Sequence, residues 1–184
     1  MPGGPEFSAP LCPPYDDGME SIGAAPHTQI AFRIASQEDA PRLIALINAA
    51  FSIEQFIEGT RTDLERLANL MAKGSILMAE DASGSLLGSV FMEFRGERGY
   101  LGMLAVDPAR QRQGLAQRLT TAAEDRFRAA GCRAVEIIVL NMRPELLPLY
   151  RRYGYVEVGV TDFNPSRPLK PGVRIHGILM EKQL

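Results

Sequence analysis

Apolar residues recur along the chain in two periods, and the changes of period mark the elements. Over residues 28–35, Ile30, Phe32 and Ile34 alternate with Ala31 and Arg33, the period of a strand with one buried face. From Leu43 onward the period lengthens: Leu43, Ile44, Ile47, Ala50 and Phe51 share one face of a helix that Ser36 or Asp39 caps, with Pro41 close enough to its start to be tolerated. A second helix carries Leu64, Leu67, Leu70 and Met71; Thr62 and Glu65 have capping-box spacing at its start, and Lys73 and Gly74 close it. Between the two helices, residues 52–61 are irregular and include Glu54, Phe56 and Glu58. Three strands follow at 76–80, 86–94 and 100–106, joined by Asp-Ala-Ser-Gly and Arg-Gly-Glu-Arg turns, which predicts an antiparallel meander.

The second half switches order. The strand ending at Val106 meets Asp107-Pro108, where the ladder must stop because Pro108 has no NH. Leu115, Leu119, Ala122, Ala123 and Phe127 then fall at helical spacing, with Gly131 placed for a left-handed C-cap. Residues 134–140 are apolar and β-branched apart from Glu136, as suits a strand buried on both faces and parallel to the one before the helix. A short helix around Tyr150 and strands at 155–160 and 173–181 complete the chain, the last two separated by a long Pro-rich loop. The predicted fold is α/β (α+β): a mixed sheet of about seven mostly antiparallel strands with one parallel central pair, and four helices.

The turn from 107 to 116 joins a strand to a helix start. Amides without helical partners point out of a helix N-terminus and the helix dipole adds partial positive charge, so the site suits phosphate. Gly114 permits close backbone approach and small Ala116 keeps the helix start open.

Composition narrows the class. The chain has 184 residues, 46% hydrophobic and 23% charged, with a formal net charge of −2, as for one ordinary soluble domain. No basic excess marks nucleic acid as a partner, and no apolar run approaches the ~20 residues of a membrane helix. Cys12 and Cys132 have no metal spacing, and His27 and His176 are the only imidazoles, so no metal and a cytoplasmic setting are expected. Residues 1–27, rich in Pro and Gly at their start, are expected to be disordered or left over from cloning, with a native start at Met19; residues 28–184 form the domain.

Two motifs carry a family resemblance. Gln111-x-x-Gly114-x-Ala116 resembles the acyl-CoA pyrophosphate loop of the GNAT superfamily, the acetyl-CoA-dependent N-acetyltransferases, whose signature is Arg/Gln-x-x-Gly-x-Gly/Ala. Leu149-Tyr150-x-x-x-Gly154-Tyr155 is similar to that family's Leu-Tyr-x-x-x-Gly-Phe/Tyr, and the two occur in the family's order with room between them for one helix and one strand. The resemblance implies acetyl-CoA as cosubstrate, held by Gln111, Arg112, Gln113, Gly114, Leu115 and Ala116, with the backbone of Leu104, Ala105 and Val106 lining a gap between the two parallel strands. It implies Tyr150 as the acid that protonates the departing thiolate; packing as a core aromatic is the other role open to it. Asn141 is a candidate for the pantetheine arm, although the family's usual Asn lies where this chain has Arg143; a helix N-cap is its alternative. Of Arg110, Arg112 and Arg118, Arg112 is best placed for CoA phosphates. No general base is assigned: the strand from Tyr100 to Val106 lacks a carboxylate, leaving Glu54, Glu58, Glu93, Glu136 and His176 as stand-ins.

The resulting expectation is transfer of acetyl to a primary amine, small-molecule or peptide, by direct attack in a ternary complex. A non-catalytic acyl-CoA-binding or sensing domain on the same scaffold is the alternative, and a Rossmann dinucleotide reader fits the glycine spacing poorly. Nucleic-acid and membrane partners are not expected, and the oligomeric state is left open, a homodimer included.

Overall fold

The structure is a computed structural model that describes residues 29–165 and 167–184. The expectation for residues 1–27 lies outside the described part. Seven strands, β1 (Ala31–Ile34), β2 (Ser75–Glu80), β3 (Leu86–Arg95), β4 (Arg98–Val106), β5 (Ala134–Leu140), β6 (Val156–Thr161) and β7 (Gly177–Gln183), form one sheet in the order β1-β2-β3-β4-β5-β7-β6. Helices α1 (Ala40–Ala50), α2 (Leu64–Met71), α3 (Leu115–Ala129) and α4 (Leu147–Arg152) complete it. Only β4 and β5 are parallel, so the predicted mixed sheet with one parallel pair and four helices is the observed one.

Strand alternation feeds two apolar layers. In β2, Leu77 and Ala79 pack on the α3 side with Val90, Leu101, Leu119, Phe127, Val135 and Ile137. Ile76 and Met78 point the other way, toward Leu43, Ile47, Leu67 and Phe91 under α1 and α2. Gly99 marks how closely α3 approaches the sheet, since a Cβ there would lie 2.5 Å from the Phe127 ring. Gly99→Ala is therefore expected to cost about 1–3 kcal/mol by overpacking. Urea unfolding with the midpoint moved down and the slope unchanged is the expected reading.

Two local expectations are corrected. The Thr62/Glu65 capping box does not form: Asp63 caps α2, its Oδ1 accepting from Arg66 N at 2.9 Å. Thr62 is instead held by Asn48, whose Oδ1 accepts from Thr62 N at 2.9 Å and whose Nδ2 donates to Thr62 O at 3.0 Å, so the helix begins one residue later. The last strand begins at Gly177, not at 173, because Val173 and Ile175 pack with Phe56, Ile57, Leu140 and Leu169 under the long loop rather than in the ladder. That loop docks on the irregular segment after α1: Ile57 bridges Leu169, and Lys170 N donates to Phe56 O at 3.0 Å.

The sheet is split at its centre. β4 and β5 pair from Arg98–Ala134 only as far as Leu101–Ile137. Beyond that, β4 stays with β3 up to Val106–Gly88, and β5 stays with β7 up to Leu140–Gly177. The cause lies in β4, which uses one more residue than β3 between the Gly102–Phe91 and Ala105–Ser89 pairs. Met103 sits in this bulge at φ 48°, a left-handed conformation that a side chain of its kind seldom adopts. The bulge turns β4 away and opens a V whose inner strand edges have no ladder partner.

Candidate active site

The helix start expected to hold phosphate faces the open end of this V. Asp107 ends β4: its amide donates to Leu87 O at 2.9 Å and its Oδ1 accepts from Ala109 N at 3.0 Å. Gln111 folds back, Nε2 donating to Val106 O at 3.4 Å, and ties the loop to the strand. Arg112 (φ 63°) and Gly114 (φ 77°) both take left-handed backbone, which wraps the exposed loop around the helix axis. The α3 ladder starts with Arg118 N donating to Gly114 O at 3.0 Å, so the amides of Leu115, Ala116 and Gln117 have no helical acceptor. Leu115 is buried and pins the helix start, whereas Gln113 and Gly114 are exposed. A Cβ at Gly114 would meet nothing within 4 Å, so the approach to these amides is clear. Arg118 lies 6.0 Å from the Phe32 ring, the outer limit of a cation–π contact.

Leu104, Ala105 and Val106 form the part of β4 that has left β5; Ala105 and Val106 bury their side chains, so what they offer the gap is backbone. Asn141, at the end of β5, is not an N-cap: Arg143 holds that position for the turn before α4. Its Oδ1 accepts from His176 N at 3.0 Å, and its amide donates to His176 O at 3.1 Å, clamping β5 to the start of β7.

Tyr150 of α4 is packed against the α3-side core, edge-on to Tyr153 and Tyr155 at ring distances of 6.1 and 5.9 Å. Its neighbour Tyr155 is tied down, donating to Glu124 Oε1 at 2.8 Å, while Lys182 donates to Glu124 Oε2 at 2.6 Å. The Tyr150 hydroxyl makes no such bond among the described residues. Burial pushes its phenol up to about 12, and Tyr100 of β4 and Arg143 are near enough to act on it electrostatically. Tyr150 thus has a protonated hydroxyl with no hydrogen-bond partner among the described residues, within electrostatic reach of a β4 residue and of the segment after β5.

Of the stand-in bases, Glu136 pairs with Arg98 at the closed end of the sheet, Glu93 pairs with Arg95, and Glu58 and His176 are exposed. Glu54 alone is buried beside the opening. Arg61 and Arg143 each take one of its oxygens, at 3.2 and 3.3 Å, and burial raises its carboxyl above the ordinary range despite both cations. Arg61 also donates to Met103 Sδ at 3.4 Å, reaching the bulge. A cavity of about 350 Å³ adjoins this cluster, lined by Asn48, Phe51, Glu54, Thr60, Arg61 and Lys170. Arg61, Tyr100 and the docking of the long loop were not identified from the sequence as parts of the site. Glu54 and Arg143 lie 89 positions apart, and no local pattern links them.

A mixed sheet split beside a helix start with bare amides is the architecture of acyl-CoA-dependent acyltransferases. Residues 36–164 match the model of the acetyltransferase (GNAT) domain, and the chain belongs to that family. Over 111 residues it is 33% identical to glucosamine 6-phosphate N-acetyltransferase 1 of Oryza sativa subsp. japonica, a match covering 56% of this chain and 66%, just under two thirds, of that relative. Its fold is similar to an N-acetyltransferase from Thermoplasma acidophilum in complex with coenzyme A, at TM-score 0.68 and 18% identity, covering 85% of this chain and 99% of that one. It is also similar to the ribosomal-protein-S18-alanine N-acetyltransferase of Escherichia coli, at TM-score 0.64 and 20% identity, covering 84% of this chain and 94% of that one. Among the described residues no helix is long and apolar enough to cross a membrane.

Proposed function

We propose that this protein transfers acetyl from acetyl-CoA to a primary amine by direct attack. The observation that carries the reading is the V between β4 and β5, with bare amides at the start of α3 on one side and the free hydroxyl of Tyr150 on the other. The fit is chemical. The loop from Gln111 to Ala116 has room above Gly114 and amides to spare for a pyrophosphate, with Arg112 as a cation within the loop itself. The unpaired edge of Leu104, Ala105 and Val106 offers NH donors to an acyl oxygen and to a pantetheine amide. Asn141 lies where that arm would leave the gap, through whatever capacity its side chain keeps beyond the His176 clamp. Acetyl-CoA supplies an acyl group activated as a thioester.

Tyr150 donates the proton that the departing sulfur requires. Its high pKa keeps the hydroxyl protonated at every working pH, and the proton passes from the phenol oxygen to the sulfur as the carbon–sulfur bond breaks. An acyl-enzyme route has no support in the described residues. Cys132 is buried, burial pushes its thiol up, and its Sγ lies 3.9 Å from Gly96 O in the β3–β4 turn, the far end of β4 from the V. The unpartnered Tyr150 hydroxyl favours an enzyme over a silent acyl-CoA-binding module.

Release of free thiol from acetyl-CoA in the presence of a panel of amines tests this reading; release no faster than the amine-free rate for every member of the panel would defeat it. The pH profile adds a second check. With Tyr150 at about 12, turnover is expected to rise with pH as the acceptor amine loses its proton and to show no falling limb up to about pH 10. A falling limb near pH 8–9 would assign the proton to another group.

A further inference from the structure

The Glu54 cluster is built from three separate stretches of chain that meet over the open V. Arg61 comes from the segment before α2 and contacts the β4 bulge; Arg143 follows β5 and acts on Tyr150; Glu54 lies buried between them with one oxygen on each. Such an arrangement fixes two guanidinium groups at once, since each Glu54 oxygen accepts a hydrogen bond from one of them. It is a good splint. The Phe51 ring lies 4.9 Å from the Arg61 guanidinium and steadies it from another side. Lys170 reaches the same cavity only because the long loop docks on residues 56–60, through the Ile57–Leu169 bridge and the bond from Arg167 Nε to Thr60 O at 2.9 Å. Lys170 has no ion pair among the described residues. The cavity wall thus carries Arg61 and Lys170 against a single carboxylate that is already shared with Arg143.

We propose that this cavity receives the acceptor and selects amines that also carry a carboxylate or phosphate group, which Arg61 and Lys170 bind, with Glu54 as the positioning residue that holds Arg61 in place. The inference rests on the acetyl-transfer reading and names the class of acceptor for it. Diamines and polyamines, which bring only positive charge, are disfavoured by the same wall. Cation–oxyanion pairing in a partly enclosed site is strong enough to govern choice of substrate, since one charge-assisted hydrogen bond changes affinity by about tenfold to a hundredfold.

The test uses matched pairs: an amino acid against its amide, and an amino alcohol against its phosphate ester. The oxyanion-bearing member is expected to have the higher kcat/KM by about tenfold or more, mainly through KM, and the preference is expected to collapse in Arg61→Gln/Lys170→Gln. Glu54→Gln should raise KM for the anionic members more than it lowers kcat, with Glu54→Asp recovering part of the preference; equal losses for both members of a pair would mean that Glu54 only supports the fold. Preference for the neutral or polycationic acceptors, or a preference that the double variant keeps, overturns the proposal. If no amine releases thiol, the transferase reading fails separately. The cavity is then judged by titrating CoA-saturated protein with inorganic phosphate: saturable binding that the double variant weakens about tenfold supports the oxyanion site, and absent or unchanged binding rejects it.

Discussion

A Gly114→Glu protein is expected to fold and to lose acetyl-CoA binding by about a hundredfold or more. Two effects act together. Gly114 holds φ 77°, where a side chain costs about 1–2 kcal/mol, yet the loop is exposed and α3 is anchored independently by Leu115, Leu119 and Phe127, so the domain can absorb that strain. The larger effect is on the ligand. The new Cβ would project into space that no protein atom occupies within 4 Å, and the carboxylate beyond it would meet phosphate oxygens at a helix start whose partial positive charge is what attracts them. Gly114→Ala carries the same backbone strain without the charge and should fall between the two. Calorimetric titration of acetyl-CoA, with a melting curve to verify folding, reads both variants. A folded Gly114→Glu protein with unchanged affinity would move the pyrophosphate away from this loop.

How much of this site could be read from the chain depends on the range of the interactions that build it. The turn between β4 and α3 is local: a strand, a Pro stop, a glycine and an amphipathic run lie within a few residues of one another, and strand, turn and helix follow in that order. The strands follow from alternation, and even the parallel pair follows, because a helix must cross between Val106 and Ala134. Caps and strand ends are decided by partners that no period reveals. Thr62 reads as a cap but is taken by Asn48 from the previous helix, and Val173 and Ile175 read as strand but pack beneath a loop against Phe56 and Leu140. The Glu54 cluster is the extreme case. Glu54 stands in an irregular stretch with nothing periodic to mark it, and what gives it meaning, Arg61 on one oxygen and Arg143 on the other, depends on the whole sheet having formed. The split between β4 and β5 is similarly hidden, since Met103 adopts its left-handed conformation without the glycine or asparagine that would announce it.

Tyr150→Phe is expected to lower turnover by about 10²- to 10⁴-fold, the usual contribution of general acid catalysis, with little change in acetyl-CoA affinity. The substitution removes one hydroxyl and keeps the ring, so the edge contacts with Tyr153 and Tyr155 survive. Stability should hardly move. Because the hydroxyl has no hydrogen-bond partner among the described residues, its deletion leaves no donor or acceptor stranded, and replacing a partly buried, unpaired hydroxyl by hydrogen is neutral or slightly stabilising. That separates the two roles open to this residue. If Tyr150 only fills the core, phenylalanine fills it as well, and both the melting temperature and the turnover number stay close to wild type. If it supplies the proton, the melting temperature stays and turnover falls, and the loss should be smaller for a thioester whose thiol is more acidic, because that leaving group needs less help. Steady-state kinetics with acetyl-CoA and with an activated acetyl thioester, on wild type and Tyr150→Phe side by side, reads that difference. Equal losses with both donors would place the role of Tyr150 in binding, and no loss with either would return it to the core.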